Sequence, residues 1–516
     1  MKKIVRKRTA FVMAVLVSVM LIASCSQGRE AGEAASLGNP DITADVVVVG
    51  AGGAGLTAAI QASQLGLDVI LLEKNSYPGG TTIMTEGMFA VDSHYQKEAG
   101  VDIDQVDLLR RVQEYNHWLS NSIILQKLFK ASAGTIDWLE DLGVEFTGVS
   151  FMGDSVQTWH LFEGMGEGYI NSMHKAALAA GVNLMLETPG KELVMEHGKV
   201  KGLIAEDKDG ERISIEAPVV ILAAGGYSDN PEMMEKHVGV SPEHSVQIGM
   251  PGRTGDGIKM GLSAGADTFY LGTAMFYGGN IKGIPYGNHL YTASAFQPTM
   301  IWVNQDGKRF ADESLAGLNF SFSGNAIKNQ RRVFSILNKE NLDYFVEEGC
   351  ILGTGGYTLT GTKLTELYDQ IDEQLEKGNK GIQIADTLEE LSSRIDVDAE
   401  TLKTTLANYN AYCDKGADEG FGKKAEYLQP MTSGPWYSFE LAVGYFTTVG
   451  GLKVNENAQV LATEDAVIPG LYATGTDAGG LYGDSYDVVI CAGSCQGWAV
   501  NSGRFAAQDA ARYLGK

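Results

Sequence analysis

The feature that most constrains the fold is a strand–turn–helix–strand pattern near the N-terminus. DVVVV (45–49) is a continuous β-branched run, typical of a parallel strand that is buried on both faces. The turn GAGGAG (50–55) leads into LTAAIQASQLG, a helical pattern that ends at Gly66. A second apolar run, LDVILLEK, carries Glu73 at its end. This βαβ order predicts an α/β domain that binds a dinucleotide.

The spacing of the glycines and the acid gives this prediction its specificity. Glycines let backbone amides approach a pyrophosphate at a helix N-terminus, and an acid after the second strand binds a ribose diol. Glu73 stands 18 residues beyond Gly55, which suits that role. A tight turn without a ligand is the alternative interpretation, and a lone G-x-G-x-x-G would not exclude it.

The rest of this domain is distributed along the chain. Strand patterns recur at 199–205, 212–217 and 218–226, and IPGLYATGTDAGG (468–480) repeats the order of strand and glycine turn. Both ends of the chain therefore contribute to one sheet, around an insert whose leucine and charge spacing at 360–416 is helical. The predicted domain boundaries are 45–272 and 441–516 for the two parts of the binding domain, and 273–440 for the insert.

Composition excludes some classes of function. Lys plus Arg is 40 and Asp plus Glu is 64, a net charge of −24 that argues against nucleic-acid binding. Cys350, Cys413, Cys491 and Cys495 are too few for a disulfide framework in so long a chain, and their spacing is not that of a zinc site. We predict no metal, and we expect Cys491 and Cys495 to be packing residues rather than a redox pair.

The N-terminus has the pattern of an export signal. Basic MKKIVRKRTA precedes the apolar run FVMAVLVSVMLIA, and IASC (22–25) resembles a bacterial lipobox. We expect residues 1–24 to be a lipoprotein signal peptide, Cys25 to be lipidated, and residues 25–44 to be a tether. An uncut signal anchor is the alternative. The expected location is the outer face of the bacterial cytoplasmic membrane.

Several motifs together resemble one known family. Besides GAGGAG and Glu73, they are GGTT (79–82), AAGGY (223–227), TGDG (254–257), NQDGKRFADE (304–313) and GLYATG (470–475). The chain resembles the FAD-dependent flavoproteins of the fumarate reductase and succinate dehydrogenase group, which includes urocanate reductase and the 3-ketosteroid dehydrogenases, over roughly residues 45–512. The resemblance implies a Rossmann-like FAD-binding domain with an inserted α+β capping domain, and non-covalent FAD.

The resemblance also implies which residues contact FAD. Those at the two ends of the chain meet the pyrophosphate, the ribose and the flavin ring, and those in the middle contact the centre of the cofactor. The implied residues are Gly50, Gly52, Gly53, Ala54, Gly55, Glu73, Lys74, Gly80, Thr81, Thr82, Gly87, Ala224, Gly225, Asp256, Gly475, Asp477, Gly493, Ser494 and Gly497.

The chain departs from the family where fumarate reductases hold their substrate. Those enzymes clamp two carboxylates with arginines and histidines. Near the corresponding positions this chain has Gly317, Tyr277, Tyr486 and the segment Tyr445–Thr448. Tyrosine and threonine would leave a dicarboxylate poorly paired, at a large desolvation cost. We therefore expect a neutral or singly charged substrate that is larger than fumarate, such as an aromatic or polycyclic molecule.

The candidate catalytic residues follow from these departures. Tyr486 is the predicted proton donor or carbonyl-polarising group, with Tyr445, Tyr277 and Tyr291 in support. His160 matches a family histidine that precedes a glycine-rich turn. For each of these residues, packing in the core is the alternative interpretation.

The predicted function is FAD-dependent reduction of a C=C bond conjugated to a carbonyl, in a steroid-like or aryl-acrylate-like enone or enoate. The expected partners are this small molecule and a membrane electron carrier, either a cytochrome, a quinol or another flavoprotein. The alternatives are a 3-ketosteroid-type dehydrogenase acting oxidatively, a non-catalytic surface electron shuttle, and an amine oxidase. An electron shuttle would not need a capping domain over its flavin.

Overall fold

The structure is a computed structural model that describes residues 37–152 and 156–516. The predicted signal peptide and Cys25 lie outside the described residues. No helix in the described ranges is long and apolar enough to cross a membrane. The strands are β1 Ile42–Thr43, β2 Val46–Val49, β3 Val69–Leu72, β4 Gly87–Phe89, β5 Phe146–Ser150, β6 Trp159–Phe162, β7 Asn183–Met185, β8 Gly190–Glu196, β9 Lys199–Glu206, β10 Arg212–Glu216, β11 Val219–Leu222, β12 Ser245–Gln247, β13 Thr268–Phe269, β14 Ala274–Asn280, β15 Ile301–Asn304, β16 Val333–Asn338, β17 Ile382–Ala385, β18 Trp436–Thr448, β19 Gly451–Lys453, β20 Gln459–Leu461, β21 Val467–Ala473 and β22 Ala478–Gly479.

Fifteen α-helices are interspersed among the strands of the described residues. They are α1 Gly53–Gln64, α2 His94–Glu98, α3 Gln105–Tyr115, α4 Ser122–Asp141, α5 Met165–Ala179, α6 Pro231–Met233, α7 Asp256–Ser263, α8 His289–Ala295, α9 Leu315–Leu318, α10 Phe320–Lys328, α11 Lys339–Glu347, α12 Leu367–Glu376, α13 Leu388–Ile395, α14 Ala399–Lys415 and α15 Ser494–Tyr513. A 3₁₀ helix at Gly80–Met84 and a π-helical turn at Met234–Val238 add to these.

The central sheet has the order β20-β21-β11-β2-β3-β7. Strands β21, β11, β2, β3 and β7 run parallel, with Val46 opposite Val69 and Val219 opposite Val46. All residues of β2, β3 and β11 are buried, which explains their uninterrupted apolar sequence. The last strand of the parallel set comes from near the C-terminus, as the sequence predicts.

The strands predicted at 199–205 and 212–217 form, but in a separate four-stranded sheet of order β1-β10-β9-β8. They pair antiparallel through a tight turn, so they cannot continue the parallel sheet. β1 joins this sheet beside β10, and the Asp41 carboxylate accepts hydrogen bonds from the Ser214 amide and hydroxyl at 2.8 and 2.7 Å. Asp41–Ala44 therefore belong to the folded body and not to the predicted tether at 25–44.

The inserted region forms a mixed sheet around β18. This long strand pairs with β12, β14, β16 and β17, and β15 extends the sheet beyond β16. Helices α8 to α14 lie between these strands in sequence, as expected for an α+β insert. The sheet extends past the predicted boundaries of 273 and 440, because β12 precedes the first and β18 crosses the second.

A buried ion-pair network stabilises the insert. Arg309 contacts Glu313 at 2.8 Å and Asp418 at 2.9 Å, and the Lys423 ammonium lies 3.0 Å from Glu313. Glu313, Lys423 and Asp418 expose none of their side chains, and Arg309 exposes 5%. The network connects the turn after β15 to the loop after α14, so Arg309 has a structural role here.

The close packing of α1 against α15 positions the cavity. A Cβ atom on Gly503 of α15 would lie 2.5 Å from the Ala54 carbonyl oxygen, so only glycine permits this approach. Because the two helices touch, Gly53 of α1 and Gln496 of α15 line the same cavity beside the carboxyl ends of β2 and β11. In an open parallel sheet, ligands bind at this edge.

Candidate active site

One cavity lies between the central sheet and the inserted region. Its empty space is about 1440 Å³, including the part open to solvent. Its walls come from the α1 and α15 N-termini, the Gly80–Met84 helix, the loop 223–225, β18 and loops of the insert.

The dinucleotide end is built from backbone and glycine. Gly50 has φ +102°, and a Cβ atom there would lie 2.4 Å from the Ala223 carbonyl oxygen. A Cβ atom on Gly52 would meet nothing closer than the Gly79 oxygen at 3.7 Å, so the turn leaves space in front of α1. The Glu73 carboxylate is fixed in this wall by the Ala51 and Asn75 amides, which both donate at 2.9 Å.

The donors at this end fit FAD. The N-cap residues Gly52 and Gly493 have no capping side chain, so backbone amides at the start of α1 and α15 face the cavity, where the Thr82 hydroxyl accepts from the Gly53 amide at 3.2 Å. Gln496 also faces it: its Oε1 accepts from the Thr82 hydroxyl at 3.1 Å, and its buried Nε2 has no partner among the described residues. A ligand with phosphate and carbonyl oxygens would satisfy both kinds of donor.

Most of the predicted cofactor residues line this cavity. They are Gly50, Gly52, Gly53, Ala54, Glu73, Lys74, Gly80, Thr81, Thr82, Gly87, Ala224, Gly225, Gly475 and Gly493.

The other five predicted cofactor residues stand behind the wall. The Asp477 carboxylate accepts from the Ala224 and Gly226 amides at 2.6 and 2.9 Å and so shapes the loop 223–226. Asp256 forms an ion pair with Lys74 at 2.6 Å. The Ser494 hydroxyl donates to the Asp487 carbonyl at 2.9 Å, and Gly55 and Gly497 allow close backbone packing against Gly50 and Phe89.

Of the predicted catalytic tyrosines, Tyr486 lines the cavity and the other three do not. Tyr277 accepts a hydrogen bond from the Asn280 amide nitrogen at 3.2 Å, and Tyr445 donates to the Ser228 carbonyl at 3.3 Å. The Tyr291 hydroxyl is buried without a hydrogen-bond partner in the described ranges. These three residues pack beside the cavity wall.

His160 is buried behind the wall as well. Its Nε2 lies 2.6 Å from the Ser93 hydroxyl and its Nδ1 lies 3.1 Å from the Thr158 carbonyl oxygen. Burial lowers the pKa of His160 to about 4, so the ring is neutral near pH 7. The contacts of His160 are those of a structural histidine.

The environment of Tyr486 suits a hydroxyl group that acts on a ligand. Its backbone carbonyl accepts from the Ser321 hydroxyl at 2.6 Å, which fixes the residue, while its own hydroxyl makes no hydrogen bond to a described residue. Burial, followed by the nearby Cys495 and Asp487, raises the pKa of Tyr486 well above its usual value. The phenol is therefore protonated and is able to donate.

The structure adds substrate-side residues that the sequence did not indicate. Glu86, Tyr286, Phe320, Tyr357 and Phe446 line the same end of the cavity as Tyr486. The Tyr286 ring lies 5.4 Å from both the Tyr357 and the Phe446 rings, in edge-to-face contacts. These residues come from separate segments with no motif in common, so only the weak signal of clustered aromatics could have suggested them.

A family comparison identifies the cofactor. A protein-family model described as an FAD binding domain matches residues 45–487. The chain belongs to this family. It is 38% identical to vinyl phenol reductase of Lactiplantibacillus plantarum, over 91% of this chain and 96% of that protein. It is 32% identical to urocanate reductase of Eggerthella lenta, over 84% of this chain and 70% of that protein. The open form of a flavocytochrome c3 fumarate reductase superposes with a TM-score of 0.72 at 25% identity, over 93% of this chain and 80% of that one.

These relatives confirm the predicted family, fold class and cofactor. The protein is an FAD-dependent oxidoreductase that acts on C=C bonds. Bound non-covalently, FAD supplies the hydride for such a reduction. The chain supplies the surfaces that line the cavity.

The cations that line the cavity are paired within the protein. Among the described residues that line the cavity, the cations are Lys74 and Arg253. Lys74 is paired with Asp256, and Arg253 with Asp229 at 3.1 Å. Arg253 also donates to the Thr81 hydroxyl at 2.9 Å and the Phe446 carbonyl at 2.6 Å. Neither cation is free for a substrate carboxylate.

Of the two cysteines in the last motif, Cys491 is buried and Cys495 lines the cavity. Cys491 and Cys495 are both free thiols. Burial raises the pKa of Cys495 to about 12 and that of Cys491 well above its usual range, so both remain protonated. A thiol without thiolate character is a poor redox nucleophile.

Proposed function

We propose that this flavoprotein reduces the C=C bond of a hydroxyaryl alkene, a phenol that carries a vinyl or acryl side chain. Support comes from the relative named vinyl phenol reductase. It is 38% identical to this chain, and the match covers nearly the whole length of both proteins. The lining of the cavity supplies independent support.

The observation that carries the proposal is the chemistry of the substrate end. Tyr286, Tyr357 and Tyr486 present hydroxyls that make no hydrogen bond to any residue in the described ranges, and Glu86 adds a carboxylate. Both lining cations are paired elsewhere. A dicarboxylate placed here would be desolvated without a partner. A neutral aromatic ring that carries a hydroxyl would instead find aromatic contacts and hydrogen-bonding groups.

The roles of the residues follow from their positions. Phe446 and Tyr286 provide edge and face contacts for an aryl ring. Tyr486 is the proton donor, because its backbone is held by Ser321 and its protonated hydroxyl has no hydrogen-bond partner among the described residues. Aromatic walls and the Tyr357 loop limit access of water to the reacting carbon.

The test is anaerobic reoxidation of the reduced holoenzyme, followed by flavin absorbance. We expect 4-vinylphenol and 4-hydroxycinnamate to reoxidise it and fumarate to have little effect. Reoxidation by fumarate and not by the phenols would refute the proposal. Reduction of the oxidised enzyme by a saturated 3-ketosteroid would favour the dehydrogenase alternative.

We also propose that the protein is an exported lipoprotein that receives electrons from a membrane carrier. The lipobox-like IASC motif after a basic and apolar leader supports this. Metabolic labelling with a radioactive fatty acid should mark the wild type and not Cys25→Ala. If the wild type remains unlabelled and lacks its leader, the protein is exported without an anchor.

A further inference from the structure

We infer that Glu86 accepts the phenolic proton of the substrate and thereby activates its C=C bond for reduction. This inference rests on the proposed function and names the group that would recognise a phenol. Glu86 lies between the Gly80–Met84 helix and β4, on the cavity wall that also carries Tyr286 and Tyr357.

The structure holds one carboxylate oxygen and leaves the other available. The Gly356 amide donates to Glu86 Oε2 at 2.9 Å. Glu86 Oε1 makes no hydrogen bond within the described part of the chain. The side chain is thus oriented by the protein, with one oxygen left to accept a proton from a ligand.

The loop that carries Tyr357 is shaped around this carboxylate. A Cβ atom on Gly355 would lie 2.5 Å from Glu86 Oε1, and Gly355 has φ +66°. Only glycine allows the loop to approach so closely in this conformation. The same approach brings the Tyr357 ring to the cavity wall.

Among the described residues, Tyr286 and Tyr357 are titratable groups that face Glu86. Burial and then the Glu86 charge raise the pKa of Tyr286 and of Tyr357. The pKa of Glu86 itself is raised, because the effect of burial exceeds the opposing effect of the hydrogen bond from the Gly356 amide. A carboxylate that binds protons more strongly than usual is better matched to a phenol than an exposed one.

The chemistry explains why such a base is needed. A vinylphenol has no carbonyl to draw electrons from its C=C bond. Loss of the O–H proton to Glu86, with gain of a proton from Tyr486 at the terminal carbon, gives the isomeric quinone methide. No electrons are exchanged in this step, since one O–H bond breaks and one C–H bond forms. The benzylic carbon then accepts the hydride, and the ring regains aromaticity as a phenolate. Glu86 returns the proton to the oxygen, and a solvent proton restores the Tyr486 hydroxyl.

The isomerisation is measurable without turnover. Oxidised holoenzyme with no electron donor is incubated with 4-vinylphenol in D₂O, and deuterium at the terminal carbon is followed by NMR. We expect enzyme-catalysed exchange with 4-vinylphenol and none with 4-methoxystyrene, which lacks the phenolic proton. Glu86→Gln should lower the exchange rate by about 100-fold or more, the usual contribution of a general base.

Glu163→Gln is the matched control, because Glu163 is an exposed glutamate outside the cavity. FAD content is measured in every variant, and binding of 4-ethylphenol is compared with that of 4-ethylanisole. Wild type should prefer the phenol, and Glu86→Gln should lose at least part of this preference.

The outcomes separate this inference from the proposed function. If FAD-loaded Glu86→Gln exchanges deuterium as fast as the wild type does, the role of Glu86 is overturned. Exchange with 4-methoxystyrene would also overturn it, as would reduction of 4-vinylphenol by a wild type that shows no exchange. Exchange that depends on Glu86 in an enzyme that cannot reduce 4-vinylphenol would support the inference and refute the proposed function.

Discussion

At the scale of single residues, Tyr486 differs from its neighbours in what its hydroxyl contacts. The hydroxyl of Tyr445 is bonded within the protein and that of Tyr291 is sealed behind the wall. Tyr486 combines a fixed backbone with a hydroxyl that faces the ligand space. The sequence put Tyr486 first among the four, and the structure shows that of these four tyrosines it is Tyr486 that lines the cavity.

Tyr486→Phe should keep FAD and lose turnover. The hydroxyl has no hydrogen-bond partner among the described residues, so its removal costs little stability, while loss of a general acid typically lowers the rate by about 10²–10⁴-fold. Reductase assays with FAD content checked by absorbance measure this. Tyr291→Phe should retain the wild-type rate, and an equal loss in both variants would point to packing instead.

Asp487 should make stability depend on pH. Its Oδ1 accepts from the Ile490 amide at 2.8 Å, while its buried Oδ2 has no hydrogen-bond partner within the described ranges. Burial raises its pKa to about 7, against the backbone amides that lower it. Between the unfolded value of 3.8 and about 7, the folded state binds more protons than the unfolded state. The contribution of Asp487 to stability therefore falls as pH rises through this window, by roughly 1.4 kcal/mol per pH unit.

Urea unfolding of wild type and Asp487→Asn from pH 4.5 to 8 measures this effect. The stability of the wild type relative to the variant should decrease with rising pH. A constant difference across this range would show that the carboxyl ionises normally.

At the scale of elements, the contact between α1 and α15 decides the shape of the cofactor end. Gly503→Ala should weaken FAD retention, because a Cβ atom 2.5 Å from the Ala54 oxygen pushes the two helices apart. FAD released on gel filtration and the unfolding temperature are the measurements. Gly134→Ala in α4 is the control: a Cβ atom there meets nothing within 4 Å, so the change should be neutral or slightly stabilising.

The turn after β15 and the loop after α14 depend on each other through the ion-pair network. Lys423→Met leaves a negative charge uncompensated in a fully buried cluster, and we expect it to destabilise the protein by about 3–5 kcal/mol. Denaturant unfolding of the holoenzyme measures the loss. Lys339→Met removes an exposed partner of Asp343 and should cost at most about 1 kcal/mol. Similar losses in the two variants would contradict the role of burial.

At the scale of the whole molecule, the long strand β18 joins the inserted sheet to the cofactor cavity. It pairs with four strands of the insert and ends at Phe446, Thr447 and Thr448, of which the first two line the cavity. The predicted boundary at 440 cuts this strand. The helical spacing of leucine and charge, on which the prediction depended, ends with the helices and does not mark the end of the sheet.

The sequence by itself determined the cofactor end. Its determinants are local: a strand, a glycine turn and a helix that are adjacent in sequence must be adjacent in space, and Glu73 is the acid that ends the next strand. The family motifs extended this to both ends of the chain. Even the loss of the arginine clamp was visible, since a missing residue type can be read directly from the sequence.

Only the tertiary structure decided the substrate end. Glu86, Tyr286, Tyr357 and Phe446 are far apart in the chain and meet through loop packing, not through a motif. The structure also placed Asp477, Asp256 and His160 behind the wall, where burial and hydrogen bonds fix their roles. Short-range patterns specify local backbone and amide geometry, whereas the side chains that face a common space depend on the packing of the whole chain.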